Sequence, residues 1–216
     1  KAMETGLPVQ SHVNENQGEI AWVRELFPQS KNYLAVYEDF DLLPQSRTIM
    51  AHCIHNSEDE MQMFLDKDVL AAHCPDSNAN LASGIMAAGE MIDRGIRVGL
   101  GSDIGGGNRL FIGHAIESAM RLSRLLWAES DHAYRTITFA EAFHMATAGG
   151  GSFFGKTGAF LPGYSFDALV VDDSRFTRYR PLSVFERLQK FVFAGDDRQI
   201  EARYRGGEFL PLPDFD

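Results

Sequence analysis

The sequence predicts an α/β fold built on a parallel sheet, with a small β unit after it. Three observations carry that expectation. Short β-like runs alternate with longer helical patterns four times in succession. Each connection is long enough for the crossover helix that parallel strands require. Each β-like run also closes on a histidine or an aspartate: His12, His52, His73 and Asp103.

Taken in order, "GLPVQSH" leads into "EIAWVRELF", where Ile20, Val23 and Phe27 share one helical face. "RTIMAHC" precedes "SEDEMQMFLDKD", with Ser57 as N-cap and Glu60 three residues on, a capping-box pattern. "VLAAHC" is the third strand, and "ASGIMAAGEMIDRG" reads as a helix ending near Gly95. "IRVGLGSD" is the fourth strand and "FIGHAIESAMRLSRLLWAES" the fourth long helix, its Ile112, Ile116, Met120 and Ser123 forming an ordinary packing stripe. "TFAEAFHMATAGGGSFFG" adds a helix capped by Thr138 with a glycine-rich end. "SFDALVVDD", "KFVFAGDD" and "IEARYRGGEFL" read as short strands, which divides the chain into 1–160 and a small β unit at 161–216.

Composition narrows the function. At 216 residues, 44% hydrophobic and 23% charged, the chain is long enough to bury a core and belongs among ordinary globular proteins. No run approaches the roughly 18 to 20 apolar residues of a membrane span. "KAMETGLPVQ" holds no apolar stretch of the signal-peptide kind. A net charge of -10 argues against nonspecific nucleic-acid binding but leaves an uncharged nucleobase open as a substrate. Cys53 and Cys74, with no CxxC spacing, read as reduced thiols of a cytoplasmic protein.

Parallel strands bring their C-terminal ends to one rim, and in a (β/α)8 barrel that rim holds the active site. His12 there is either a metal ligand with Glu15 as its neighbouring proton carrier, or a surface residue beside a solvated carboxylate. Asp103 is a ligand or a turn residue before "GGG". His52 orients water or substrate, or is a satisfied structural histidine. His73 fits best as a partner that orients a ligand. Asn78, in the loop-like "CPDSN" with Ser77, meets substrate or serves a turn set by Pro75 and Asp76. His55 reads as a loop residue, and His114, His132 and His144 as core or surface residues on helices. Gly105–Gly107 lack a Walker lysine and the G-x-G-x-x-G spacing, so they read as a backbone bend. Four β/α units leave sheet edges unpaired, so the sheet is open and doubly wound or a preceding half lies outside this chain.

The stretches "QSHVNEN", "NYLAVYEDFDLL", "MAHCIH", "AHCPDSNANLASG", "VGLGSDIGGG", "AFHMATAGGG" and "FAGDDRQIEARYRGG" resemble the amidohydrolase superfamily, and within it the guanine deaminases. The resemblance implies the C-terminal half of a distorted (β/α)8 barrel of the metal-dependent hydrolase type. It further implies hydrolytic deamination of guanine to xanthine and ammonia, as in purine catabolism. By motif, His12 and Asp103 become metal ligands, Glu15 the proton shuttle, and His52 a contact to substrate and attacking water. One Zn2+ per site is implied, with Fe2+ admitted by the same ligands. The H-x-H pair of the first strand occurs nowhere in the chain, which implies a missing N-terminal half-barrel. Homodimerisation is implied by the resemblance alone. The alternatives are another aromatic aminohydrolase (acting on oxidised guanine, another purine or a triazine-like ring) and a fragment that acts only with its missing half.

Overall fold

The computed structural model describes residues 2–177 and 179–211. A short helix, α1 (Ala2–Thr5), leads into β1 (Val9–Val13), α2 (Gln17–Leu26) and α3 (Tyr33–Asp39). Then come β2 (Thr48–His52), α4 (Glu58–Asp66), β3 (Leu70–His73), α5 (Pro75–Asn80), α6 (Ala88–Asp93) and β4 (Val98–Leu100). The long α7 (Ile112–Glu129) follows, then α8 (Phe139–His144), which runs on into a π turn at Met145–Gly149. The chain closes with β5 (Ala168–Val171), α9 (Val184–Ala194), β6 (Ile200–Arg205) and β7 (Glu208–Leu210).

The first four strands form one parallel sheet in the order β1-β2-β3-β4, with Val13 opposite His52 and His73 opposite Leu100. This register brings the strand ends to a common rim, as the sequence predicts. The last three strands form a separate antiparallel sheet. Met50, Ala71, Val98 and Phe64 join Ile116, Met120, Ile137 and Phe191 in one buried core between sheet and helices.

The helix starts follow their local chemistry. Ser57 caps α4 with a reciprocal bond from Glu60, and Thr138 caps α8 with Glu141 in the same way. The α7 stripe is buried at Ile116, Met120 and Ser123. The π turn lies hard against β4. A Cβ at Gly99 would stand 2.9 Å from the Gly150 Cα, and one at Gly149 would stand 2.8 Å from the Val98 carbonyl oxygen. Only glycines allow that approach.

Four expectations need correction. "KFVFAGDD" is not a strand: residues 190–194 finish α9, which Ser183 and Glu186 start with a capping box. Phe191 and Val192 are β-prone, but their helical spacing turns both into the core, where Phe191 meets Phe111 at 5.5 Å between ring centroids. The C-terminal region is therefore α+β. The helix expected over 82–95 begins only at Ala88, because Ala82 and Gly84 take left-handed backbone angles. The "CPDSN" loop is helical, with Pro75 opening α5. His132 stands just past α7 at a φ of 67° rather than on a helix, its ring stacked on Trp127. The sequence reading also passed over α3, whose Asn32 cap bonds the Ala35 amide and whose Leu34, Ala35 and Val36 are buried.

Candidate active site

The β1–β2 end of the rim is built by backbone turns. Asn14, His52 and Cys53 all take left-handed angles, at φ of 52°, 69° and 50°. For residues with a Cβ such angles cost on the order of 1 kcal/mol or more each, and they persist only where surrounding bonds hold them. Here the Val13 carbonyl takes the Cys53 N–H, and the Asn14 carbonyl takes those of Ile54 and His55. The result folds Glu15 back over the end of β2.

His52 is 5% exposed, and its Nδ1 lies 2.8 Å from the Asn78 Oδ1. Its Nε2 faces the Glu15 Oε2 at 3.7 Å. Glu15 is not solvated: its Oε1 accepts a 2.8 Å bond from the buried Ser83 hydroxyl. His55 Nε2 lies 3.0 Å from the Ser83 carbonyl, which steadies the same loop. His12 meets His52 edge-on with ring centroids 6.2 Å apart, yet its side chain is 54% exposed. The His12 Nδ1 stands 2.9 Å from the Glu19 Oε1. Thus His12, Glu15, His52 and Asn78 come together, joined by Glu19 and Ser83, which the sequence reading did not single out. The signal for Glu19 was present in the sequence, as a carboxylate in the first turn of a helix beginning just past His12.

The β3–β4 end is different. His73 is 1% exposed and its Nδ1 makes no hydrogen bond. Burial, and then the charge of nearby His52, pull its pKa down to about 4, so the ring is neutral near pH 7. No bond from that nitrogen orients a neighbouring ligand. Burial, and next the Asp103 carboxylate, push the Cys74 thiol up to about 12, so it stays protonated. Burial also raises Cys53, and neither thiol is an available nucleophile. Asp103 lies three residues past β4 and is exposed, with its Oδ2 beside the backbone of Gly106. A Cβ at Gly106 would stand 2.5 Å from the Ser77 Oγ and 2.9 Å from the Asp103 Oδ2, which explains the glycine there.

The donor chemistry suits a borderline metal ion: an imidazole at His12 with one nitrogen already engaged, and a carboxylate at Asp103. The number of donors falls short. A catalytic site of this kind takes about three protein ligands plus water, and among the described residues no three His, Cys, Asp or Glu side chains converge to hold one. The residues present fit as part of a ligand set. A cavity of about 460 Å³ lies elsewhere, between α2, α3 and the start of α4, and none of His12, His52 or Asp103 borders it.

Comparison with known proteins explains the open sheet. The chain is 36% identical over 208 residues to a guanine deaminase from Dictyostelium discoideum, covering 92% of this chain and 45% of the relative. It superposes on a crystal structure of guanine deaminase from C. acetobutylicum with guanine in the active site, at a TM-score of 0.91 and 43% identity, covering 97% of this chain and 50% of that one. A zinc-bound adenosine deaminase from Xanthomonas campestris, 23% identical with a TM-score of 0.78, shares the fold over 96% of this chain and 46% of its own. The chain spans about half the length of the relatives it matches. Its four β/α units are the C-terminal half of their barrel, which settles the choice between an open doubly wound sheet and half a barrel. The model of the amidohydrolase family matches residues 1–210, and the chain belongs to that family.

Proposed function

We propose that the chain supplies the C-terminal half of the active site of a metal-dependent guanine deaminase, which hydrolyses guanine to xanthine and ammonia. One observation carries the reading: the Glu15 Oε2 and His52 Nε2 face each other at 3.7 Å beside the exposed His12 ring. A proton carrier, an orienting imidazole and a metal-type donor then share one mouth. Identity of 43% to a deaminase crystallised with guanine supports the substrate.

His12 and Asp103 would hold the metal, zinc or iron(II), together with ligands from the N-terminal half-barrel. When bound, such an ion lowers the pKa of water towards neutrality and makes hydroxide available. Asp103 takes a proton from the attacking water. Glu15, anchored through Oε1 by Ser83, keeps Oε2 free to protonate a ring nitrogen and then the leaving amine. His52 offers Nε2 to water and substrate. Asn78, expected to touch the substrate, has no accessible surface and is assigned instead to hold His52. A near-neutral ring as substrate suits a chain of net charge -10, and two buried free thiols suit a reducing, cytoplasmic compartment.

The test compares the chain alone with the chain joined to a half-barrel carrying the H-x-H pair. Metal content and ammonia release from guanine are measured together. The joined sample should hold about one metal per site and turn over guanine, and His12→Ala should remove both. Turnover surviving His12→Ala overturns the ligand assignment, and ammonia from another ring but not guanine overturns the substrate.

A further inference from the structure

We propose that Glu19, braced by α3 through Tyr33 and Tyr37, is a positioning residue that sets which nitrogen of His12 is free and where Glu15 stands. The proposal rests on the roles given above to His12 and Glu15, and adds residues that those roles do not include.

Three donors converge on the Glu19 carboxylate. His12 Nδ1 and the Tyr33 hydroxyl both reach Oε1 at 2.9 Å, and the Glu15 backbone N–H reaches Oε2 at 3.2 Å. An ionised carboxylate only accepts, so each group facing it must donate. Nδ1 of His12 therefore carries a proton, and in the neutral ring Nε2 keeps its lone pair. Metal-ligating histidines in general hold their far N–H against a carboxylate or carbonyl in this way. Burial, and then the bond to Glu19, raise the Tyr33 hydroxyl above its usual range, so it remains a donor.

The second hold comes from the same helix. One turn on, the Tyr37 hydroxyl donates to the His12 carbonyl at 2.8 Å and also lies 2.8 Å from the Ser11 Oγ. The two tyrosine rings stack at 5.9 Å, as side chains four apart on a helix can. The buried face of α3, and a bond from its Leu34 N–H to the buried Glu60, fix that helix in turn. His12 is gripped at its carbonyl by Tyr37 and at its ring by Glu19. Packing cannot do this alone, because more than half of the side chain is exposed. The stretch "NYLAVYEDF", singled out in the sequence without a role, becomes the brace for the first candidate ligand.

The test reads the ring directly. Long-range 1H–15N spectra of the chain, labelled at histidine and taken where His12 is neutral, should show the proton on Nδ1 and a bare Nε2. Glu19→Ala should move His12 towards the opposite tautomer, and the Glu15 amide should exchange faster with solvent. His52, held by Asn78, should keep its own tautomer in that variant. The substitution leaves the helix intact, since α2 buries no residue and Asn16 caps through the backbone N–H of residue 19. A proton on Nε2 in the unaltered chain, no change in Glu19→Ala, or an equal change at His52 would each overturn the proposal. The spectra need neither metal nor guanine. A joined enzyme that fails to deaminate guanine would therefore sink the proposed function and leave the tautomer result standing.

Discussion

The two ends of the parallel sheet's rim are finished by different means. At β1–β2, three left-handed residues fold the loops inward, and each candidate side chain is tied to a partner: His12 to Glu19, Glu15 to Ser83, His52 to Asn78. At β3–β4, His73 is sealed with an unbonded nitrogen, and no hydrogen bond or ion pair among the described residues holds the exposed Asp103 carboxylate. The difference separates two kinds of readiness. His12, Glu15 and His52 are positioned by side chains of this chain alone, whereas Asp103 stands at the rim without a side-chain partner among the described residues.

The contrast breaks if the tied end proves unimportant to rate. Glu15→Gln in the joined enzyme should lower kcat for guanine by about 10²–10⁴-fold, the usual contribution of a general acid–base. Its unfolding midpoint should stay near that of the parent, and a loss below tenfold would remove the proton-carrier role.

The sealed end should appear in stability instead. His73 has a folded pKa of about 4 against an ordinary value of 6.5. The unfolded chain therefore binds more protons between those values, and stability falls as pH drops from about 6.5 towards 4. That penalty is absent above this window and fully developed below it, on the order of 3 kcal/mol for this group. Urea unfolding of His73→Leu at pH 7 and pH 5 should show a clearly smaller pH difference than the parent. An unchanged difference would place the acid sensitivity elsewhere.

Asn78 links the two ends, since it sits on the helix after β3 and holds the histidine that ends β2. Asn78→Leu should cost about 1–3 kcal/mol of stability by leaving the buried His52 nitrogen without its partner. It should also lower kcat more than it raises KM. A rise in KM alone would return Asn78 to direct substrate contact.

Elements with a self-contained local signal were legible from the sequence. Ser57 and Glu60, or Thr138 and Glu141, meet across one helical turn, so a stretch of four residues suffices to predict each start. The rim was legible because parallel strands must end together. The misread pieces depended on distant neighbours. Residues 190–194 are β-prone in isolation and become helical because Phe191 and Val192 face the core. Ser77 and Asn78 look like turn residues until burial against β2 and the Asp103 loop gives them a helix. The role of Glu19 arises only when α3, a further helix along the chain, folds back to His12.

The sheet's two borders, β1 and β4, run in the same direction. To continue the parallel order at both borders, whatever completes the circle must offer two outer strands of a single sense. A β-hairpin cannot do so, because its strands oppose each other. The gap in this sheet therefore turns away a two-stranded hairpin, and a completing piece that keeps every strand parallel must carry crossover connections of its own, as another β/α array does.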